Sequence, residues 1–121
     1  MIRLLAIVCL CLSACAARPP VAAPAFSGQL RNACVAEAAA MVEGLRGAGI
    51  ESRALLISTP AWNHAVALYL YPSGDNRLWV WDANWKSIRV RAWWDDPASI
   101  ARAWITATNR SLPVTSATFL E

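Results

Sequence analysis

With 121 residues, 57% hydrophobic and 16% charged, the chain has material for one small domain. Its formal charge of +3 is scattered, with no basic stripe or cluster, so nothing in it favours nucleic-acid binding. Four cysteines and a single histidine bound the chemistry that a nucleophile or a metal could use.

The chain opens Met1-Ile2-Arg3 and runs into a nearly unbroken apolar stretch, Leu4 to Leu12. That is too short to span a bilayer and suits the core of a signal peptide. Leu12-Ser13-Ala14-Cys15 follows and resembles a bacterial lipobox. The resemblance implies a signal peptide over 1–14, cleavage before Cys15, and a lipid on its sulfur that anchors the chain to a membrane. An ordinary secretory cleavage near Ala14 or Ala17 is the alternative. Ala16 stands where an aspartate often retains lipoproteins in the inner membrane, so in a two-membrane bacterium the resemblance implies an outer-membrane anchor with the domain facing the periplasm. Cys9 and Cys11 leave with the signal and lipid takes Cys15, so Cys34 is the one free thiol expected in the mature chain. In an envelope, where structural cysteines usually pair, such a thiol is either reactive or a buried, inert helix residue. Cys15 to Ser27, rich in Ala and Pro from Ala16 on, reads as the lipidated tether, which leaves 28–121 for the domain. Seven tryptophans, six of them after residue 78, can supply much of its core.

The spacing predicts a helix over Ala33–Arg46. Asn32 suits its N-cap, Val35, Ala38, Val42 and Leu45 recur on one face, and Gly47 and Gly49 end it. Cys34 then stands in the first turn, where the helix dipole and unpaired N–H groups favour a thiolate. Ser52 to Ser58 suits a buried strand, ended by Thr59-Pro60. Asn63 to Tyr71 alternates as a strand, with His64, Val66, Leu68 and Leu70 on one face. Pro72 to Asn76 is turn chemistry and Arg77 to Asp82 the return strand of an antiparallel hairpin. Lys86 to Trp93 reads as a third strand, with Arg89 and Arg91 on a solvated face. Asp95-Asp96-Pro97 starts a second helix whose apolar face is Ile100, Ala101, Trp104 and Ile105. Val114 to Leu120 can form a last strand, and no internal repeat is present.

A thiol nucleophile needs a base, and the base needs an orienting group. His64 is the only histidine, and it starts a strand; Asp82 ends the next one. If the turn closes as a five-residue loop, Tyr71 pairs with Arg77, and Asp82 falls opposite Val66, diagonal to His64 on the same face. Diagonal neighbours are about 7–8 Å apart at the backbone, within reach of an Asp–His contact, and a one-residue slip would separate them. Trp62, Trp81 and Trp85 either line a cleft there or pack the core. A metal held by Cys34, His64 and Asp82 would lack a fourth protein ligand, so none is expected.

The ordered set Cys34 at a helix start, Leu45-Arg46-Gly47-Ala48-Gly49-Ile50, Asn63-His64-Ala65-Val66 and Trp79-Val80-Trp81-Asp82 resembles the transglutaminase-like core, a branch of the papain-like cysteine peptidase fold. The match covers 32–82, with His64 standing 30 positions after Cys34 and Asp82 18 after His64. It departs from the family at Ala33, where tryptophan or glycine is common nearby, and at Ala83, where proline is. The resemblance implies an α+β fold with the cysteine helix packed on a small antiparallel sheet. It makes Cys34 the nucleophile, His64 the general base and acid, and Asp82 the orienter of the ring. Gln29 is then a candidate oxyanion donor beside the backbone N–H of Cys34. The implied activity is acyl transfer on peptide or isopeptide bonds without a cofactor, the partners being a peptide or protein substrate and the membrane reached through Cys15. The rival expectation is a non-catalytic envelope lipoprotein that binds a peptide or glycan in a tryptophan-rich cleft.

Overall fold

The computed structural model describes residues 33–108 and 110–121. The signal segment 1–14, Cys15, the tether, Gln29 and Asn32 lie outside the described residues. Among the described residues two helices and five strands follow in the order α1 (Cys34–Gly47), β1 (Ser52–Ser58), β2 (Asn63–Leu70), β3 (Leu78–Asp82), β4 (Lys86–Arg89), α2 (Pro97–Ala107) and β5 (Ser116–Leu120). All strand pairs are antiparallel, in the spatial order β4-β3-β2-β1-β5. The class is α+β.

Alanine-rich sequence with good helix propensity carries α1. Its N-cap position is Ala33, which has no side chain to cap with. Its end is a closed loop: Gly49 takes φ +77, Gly49 N–H donates to the Arg46 carbonyl at 3.0 Å, and Ile50 N–H donates to the Leu45 carbonyl at 2.9 Å. This pairing satisfies carbonyls the helix leaves free and needs a left-handed residue between them, which glycine supplies without strain. Val35 was expected in the core and is 46% exposed. The buried stripe is Glu37, Ala38, Met41, Val42 and Leu45. At 100° per residue Val35 falls at its margin, whereas Cys34 falls near its centre.

The sheet is covered on both sides. Ala54, Ala65, Ala67, Tyr69 and Trp81 meet α1, and the three alanines let the helix approach closely. Leu55, Ile57, Val66, Leu68, Leu78 and Val80 meet Ile100, Ala101, Trp104 and Ile105 of α2. Helix α2 starts as its sequence dictates, with Asp96 as N-cap accepting the Ser99 N–H at 3.0 Å and Pro97 at the first helical position. Strand β4 is shorter than the predicted 86–93. Its register pairs Trp79 with Arg89, and Val90 N–H makes a last bond to the Leu78 carbonyl. The five-residue β3 ends there, so Arg91 to Trp93 have no strand to continue along.

Tyr69 is fully buried under α1, and its hydroxyl donates to Ser87 Oγ at 2.7 Å. Burial, which disfavours the phenolate, pushes its pKa up to about 12 from 10.0. The raised folded value means that the stability it confers is complete below pH 10 and lost as pH rises toward 12. Between those values the unfolded phenol ionises while the folded one does not, which costs about 1.4 kcal/mol per pH unit. Urea unfolding of wild type and Tyr69→Phe across that range should therefore converge by this slope. Parallel curves would mean that the phenol titrates normally.

Candidate active site

The hairpin closes through five residues. Tyr71 N–H donates to the Arg77 carbonyl at 2.9 Å, and Leu70, Tyr69, Leu68 and Ala67 pair with Leu78, Trp79, Val80 and Trp81. Continuing this register sets Asp82 opposite Val66, on the same face as His64 and diagonal to it. The side chains meet there, with His64 Nε2 3.0 Å from Asp82 Oδ2. A carboxylate only accepts, so Nε2 carries the proton and Nδ1 of the neutral ring is the basic nitrogen.

Asp82 is held from its other side as well. Its Oδ1 accepts the Trp85 N–H at 2.6 Å, which folds 83–85 back over the carboxylate, and its side chain is 2% exposed. The imidazole, 21% exposed, stacks on Trp104 with centroids 5.6 Å apart and 14° between planes. Trp62 meets it edge-on at 5.8 Å. Ring orientation is thus set by one charged partner and two indoles. Trp85 is half exposed beside this group, whereas Trp81, whose alternation is opposite to that of Asp82, is buried beneath α1 and lines no cleft with them.

The placement of Cys34 follows from how α1 lies on the sheet. Ser52 Oγ donates to the Val42 carbonyl at 3.2 Å, and Arg46 Nε donates to the Ser52 carbonyl at 3.1 Å. Ser52 pairs with Tyr69, so the C-terminal half of α1 lies over that end of β2 and its N-terminus points toward Asn63 and His64. Cys34 is half-buried and packs among the residues beneath α1, a group that includes Ala65, Trp81 and Ala83. The thiol and the His64–Asp82 pair therefore share one end of the sheet.

They do not share a face. The period of two that puts His64 with Val66 and Leu68 turns its ring toward α2, whereas α1 covers the face of Ala65 and Ala67. Among the described residues the Cys34 thiol makes no hydrogen bond, so the thiol–imidazole contact expected of a nucleophile and its base is not formed, and the placement of the two on opposite faces of the sheet counts against the enzyme expectation. Strand β2 begins at Asn63 and β3 ends at Asp82, so the His64–Asp82 pair stands at the end of the sheet. The structure thus joins two of the expected site residues and sets the third around the strand end from them. Gln29 lies outside the described residues. Among those described, no three His, Cys, Asp or Glu side chains converge to hold a metal ion, and no helix is long and apolar enough to cross a membrane.

Sequence reasoning did not reach Trp104 or Arg110. Trp104 carried only a helical core signal, and its stacking on a ring forty positions away depends on which sheet face α2 covers. The Arg110 guanidinium lies 5.4, 5.6 and 5.7 Å from the ring centres of Trp62, Trp85 and Trp104. Compared with known proteins, the chain matches no family model, no curated protein and no solved structure.

Proposed function

We propose that the chain is a cysteine-dependent acyl-transfer enzyme of the transglutaminase-like, papain-like type, acting on peptide or isopeptide bonds. The observation that carries this reading is the His64–Asp82 bond at the sheet end toward which α1 points Cys34. A buried carboxylate fixing one imidazole nitrogen leaves the other as a directed base, which is the arrangement a thiol nucleophile requires. The order cysteine helix, histidine strand, aspartate strand supports the same reading.

In this mechanism the Cys34 thiol gives its proton to His64 Nδ1 as the sulfur attacks the amide carbon. The Cys34 N–H, at a helix start where no intrahelical acceptor exists, donates to the developing oxyanion. Collapse breaks the C–N bond, His64 returns its proton to the departing amine, and a thioester remains. Water or a second amine, deprotonated by His64, then adds to the thioester carbonyl and frees the thiol. Catalytic hydrogen bonds are often long before substrate binds. Here Cys34 and His64 face opposite sides of the sheet, and rotation of the cysteine side chain alone does not bridge them, so the reaction requires the first turn of α1 to move around the start of β2.

A non-catalytic binding module is the second reading, and the unmade thiol–imidazole bond favours it, since a histidine stacked on Trp104 can be a packing residue. Alkylation separates the two. On the acyl-transfer reading Cys34 of the native chain alkylates faster than after unfolding in urea at neutral pH, His64→Ala removes most of that advantage, and Asp82→Ala removes less. A thiol that reacts only when the protein unfolds would make Cys34 a core residue and sink the proposal.

A further inference from the structure

Scattered along the sequence, the arginines are gathered by the fold. Arg89 and Arg91 come from the end of β4 and the residue after next, Arg102 from the outer side of α2, and Arg110 from the segment beyond it. Two cavities, both shallow and open to solvent, flank α2. One, of about 470 Å3, is lined by Arg89, Arg91 and Arg102 with Ser99. The other, of about 480 Å3, is lined by Arg102 and Arg110 with Thr106 and Ser111. Arg102 and Thr106 belong to both, so the cavities adjoin across the crest of the helix.

No acidic side chain lines either cavity. Among the described residues none of these four guanidiniums has an ion pair or a side-chain hydrogen bond, although Arg53 and Arg77 lie beside Asp95 and Asp75. Arg110 is the most telling. Its guanidinium carbon lies 5.4 to 5.7 Å from the centres of three indoles, which offer no hydrogen-bond acceptor, so its N–H groups have no protein partner among the described residues. A guanidinium so placed is completed by an oxyanion lying in its plane, and a carboxylate fits that fork with two parallel bonds.

We infer that the two cavities flanking α2 form a binding site for an acidic peptide segment, one carboxylate meeting Arg102 and Arg110 and another meeting Arg89 and Arg91. The charges line separate hollows on either flank of a helix, which suits a chain with discrete acidic side chains. The Arg110 guanidinium lies 5.7 Å from the centre of the Trp104 ring, which stacks on His64, so the peptide passes near the proposed chemistry. That this peptide is the substrate rests on the acyl-transfer reading; that it binds does not.

The test uses the full chain carrying Cys34→Ala, so that binding is read without turnover. Fluorescence anisotropy compares a labelled Ala-Glu-Ala-Glu-Ala-Glu peptide with its glutamine counterpart. The acidic peptide should bind about tenfold tighter or more, and the pairs Arg102→Gln/Arg110→Gln and Arg89→Gln/Arg91→Gln should each weaken it about tenfold. Added salt should weaken it further. Equal affinity for the two peptides overturns the inference, as does indifference to both arginine pairs. Sedimentation with anionic phospholipid vesicles in the absence of peptide binding also overturns it. With Cys34 restored, cleavage or acyl transfer that prefers the acidic peptide supports substrate status. Tight binding without any turnover removes the acyl-transfer reading and leaves the site standing.

Discussion

On the acyl-transfer reading, Asp82→Asn is expected to remove nearly all turnover at little cost in stability, whereas Asp82→Ala lowers both. The two carboxylate oxygens do different work. Oδ1 accepts the Trp85 N–H at 2.6 Å and shapes the turn; Oδ2 faces His64 Nε2 at 3.0 Å. In Asp82→Asn the fixed Trp85 donor demands the amide oxygen, which forces the amide NH2 toward His64. Nε2 must then accept, the ring proton moves to Nδ1, and the nitrogen proposed to take the thiol proton is no longer basic. A wrong tautomer of this kind costs roughly a thousandfold or more in kcat. Asparagine keeps the volume and the turn, so stability changes little. Alanine leaves the Trp85 N–H and the ring N–H without acceptors next to a side chain only 2% exposed, a cost of about 2 kcal/mol or more. Single-turnover acylation and urea unfolding on both variants separate the effects. An Asp82→Asn protein with wild-type turnover would show that the carboxylate serves only the turn.

Trp104→Ala has the largest expected effect on stability. The residue is fully buried, lies in the core between α2 and the sheet, and is the plate on which His64 stacks. Truncating it opens a large cavity at about 3–5 kcal/mol. Domains of this size are stable by about 5–15 kcal/mol, so much of the folding free energy goes with it. Trp104→Phe should cost far less. It keeps an aromatic plate, and it removes an indole N–H that is buried without a hydrogen-bond partner. Urea midpoints at unchanged slope measure both. An alanine variant within about 1 kcal/mol of wild type would contradict the packing described, since a surface-like effect of that size does not come from a core indole.

Much of this molecule is local and was therefore legible in the chain. The Asp96-Pro97 start of α2, the left-handed Gly49 that closes α1 and the five-residue turn after Tyr71 each depend on a few neighbouring residues. The turn length in turn sets the hairpin register, and a period of two then puts His64 and Asp82 on one face. That pair was accessible because every step from the turn to the 3.0 Å contact is short-range.

Periodicity tells which residues share a face and says nothing of what will cover it. Both faces of β2 are apolar, and only the packing of the whole chain assigned α1 to the alanine side and α2 to the side of His64. That choice set Cys34 around the strand end from the ring it was expected to touch, and it brought Trp104 against His64. It also left Val35 exposed at the margin of α1 and ended β4 where its partner ran out. The arginines are the same case on the surface. They looked scattered because charge along a sequence has no period to betray a cluster, and they converge because β4, α2 and the segment after it close on one another in space. Turns, caps and strand faces are decided by neighbours a few residues apart, and so belong to the sequence. Which layer covers which face, and which distant side chains then meet, is decided by burial summed over the whole chain.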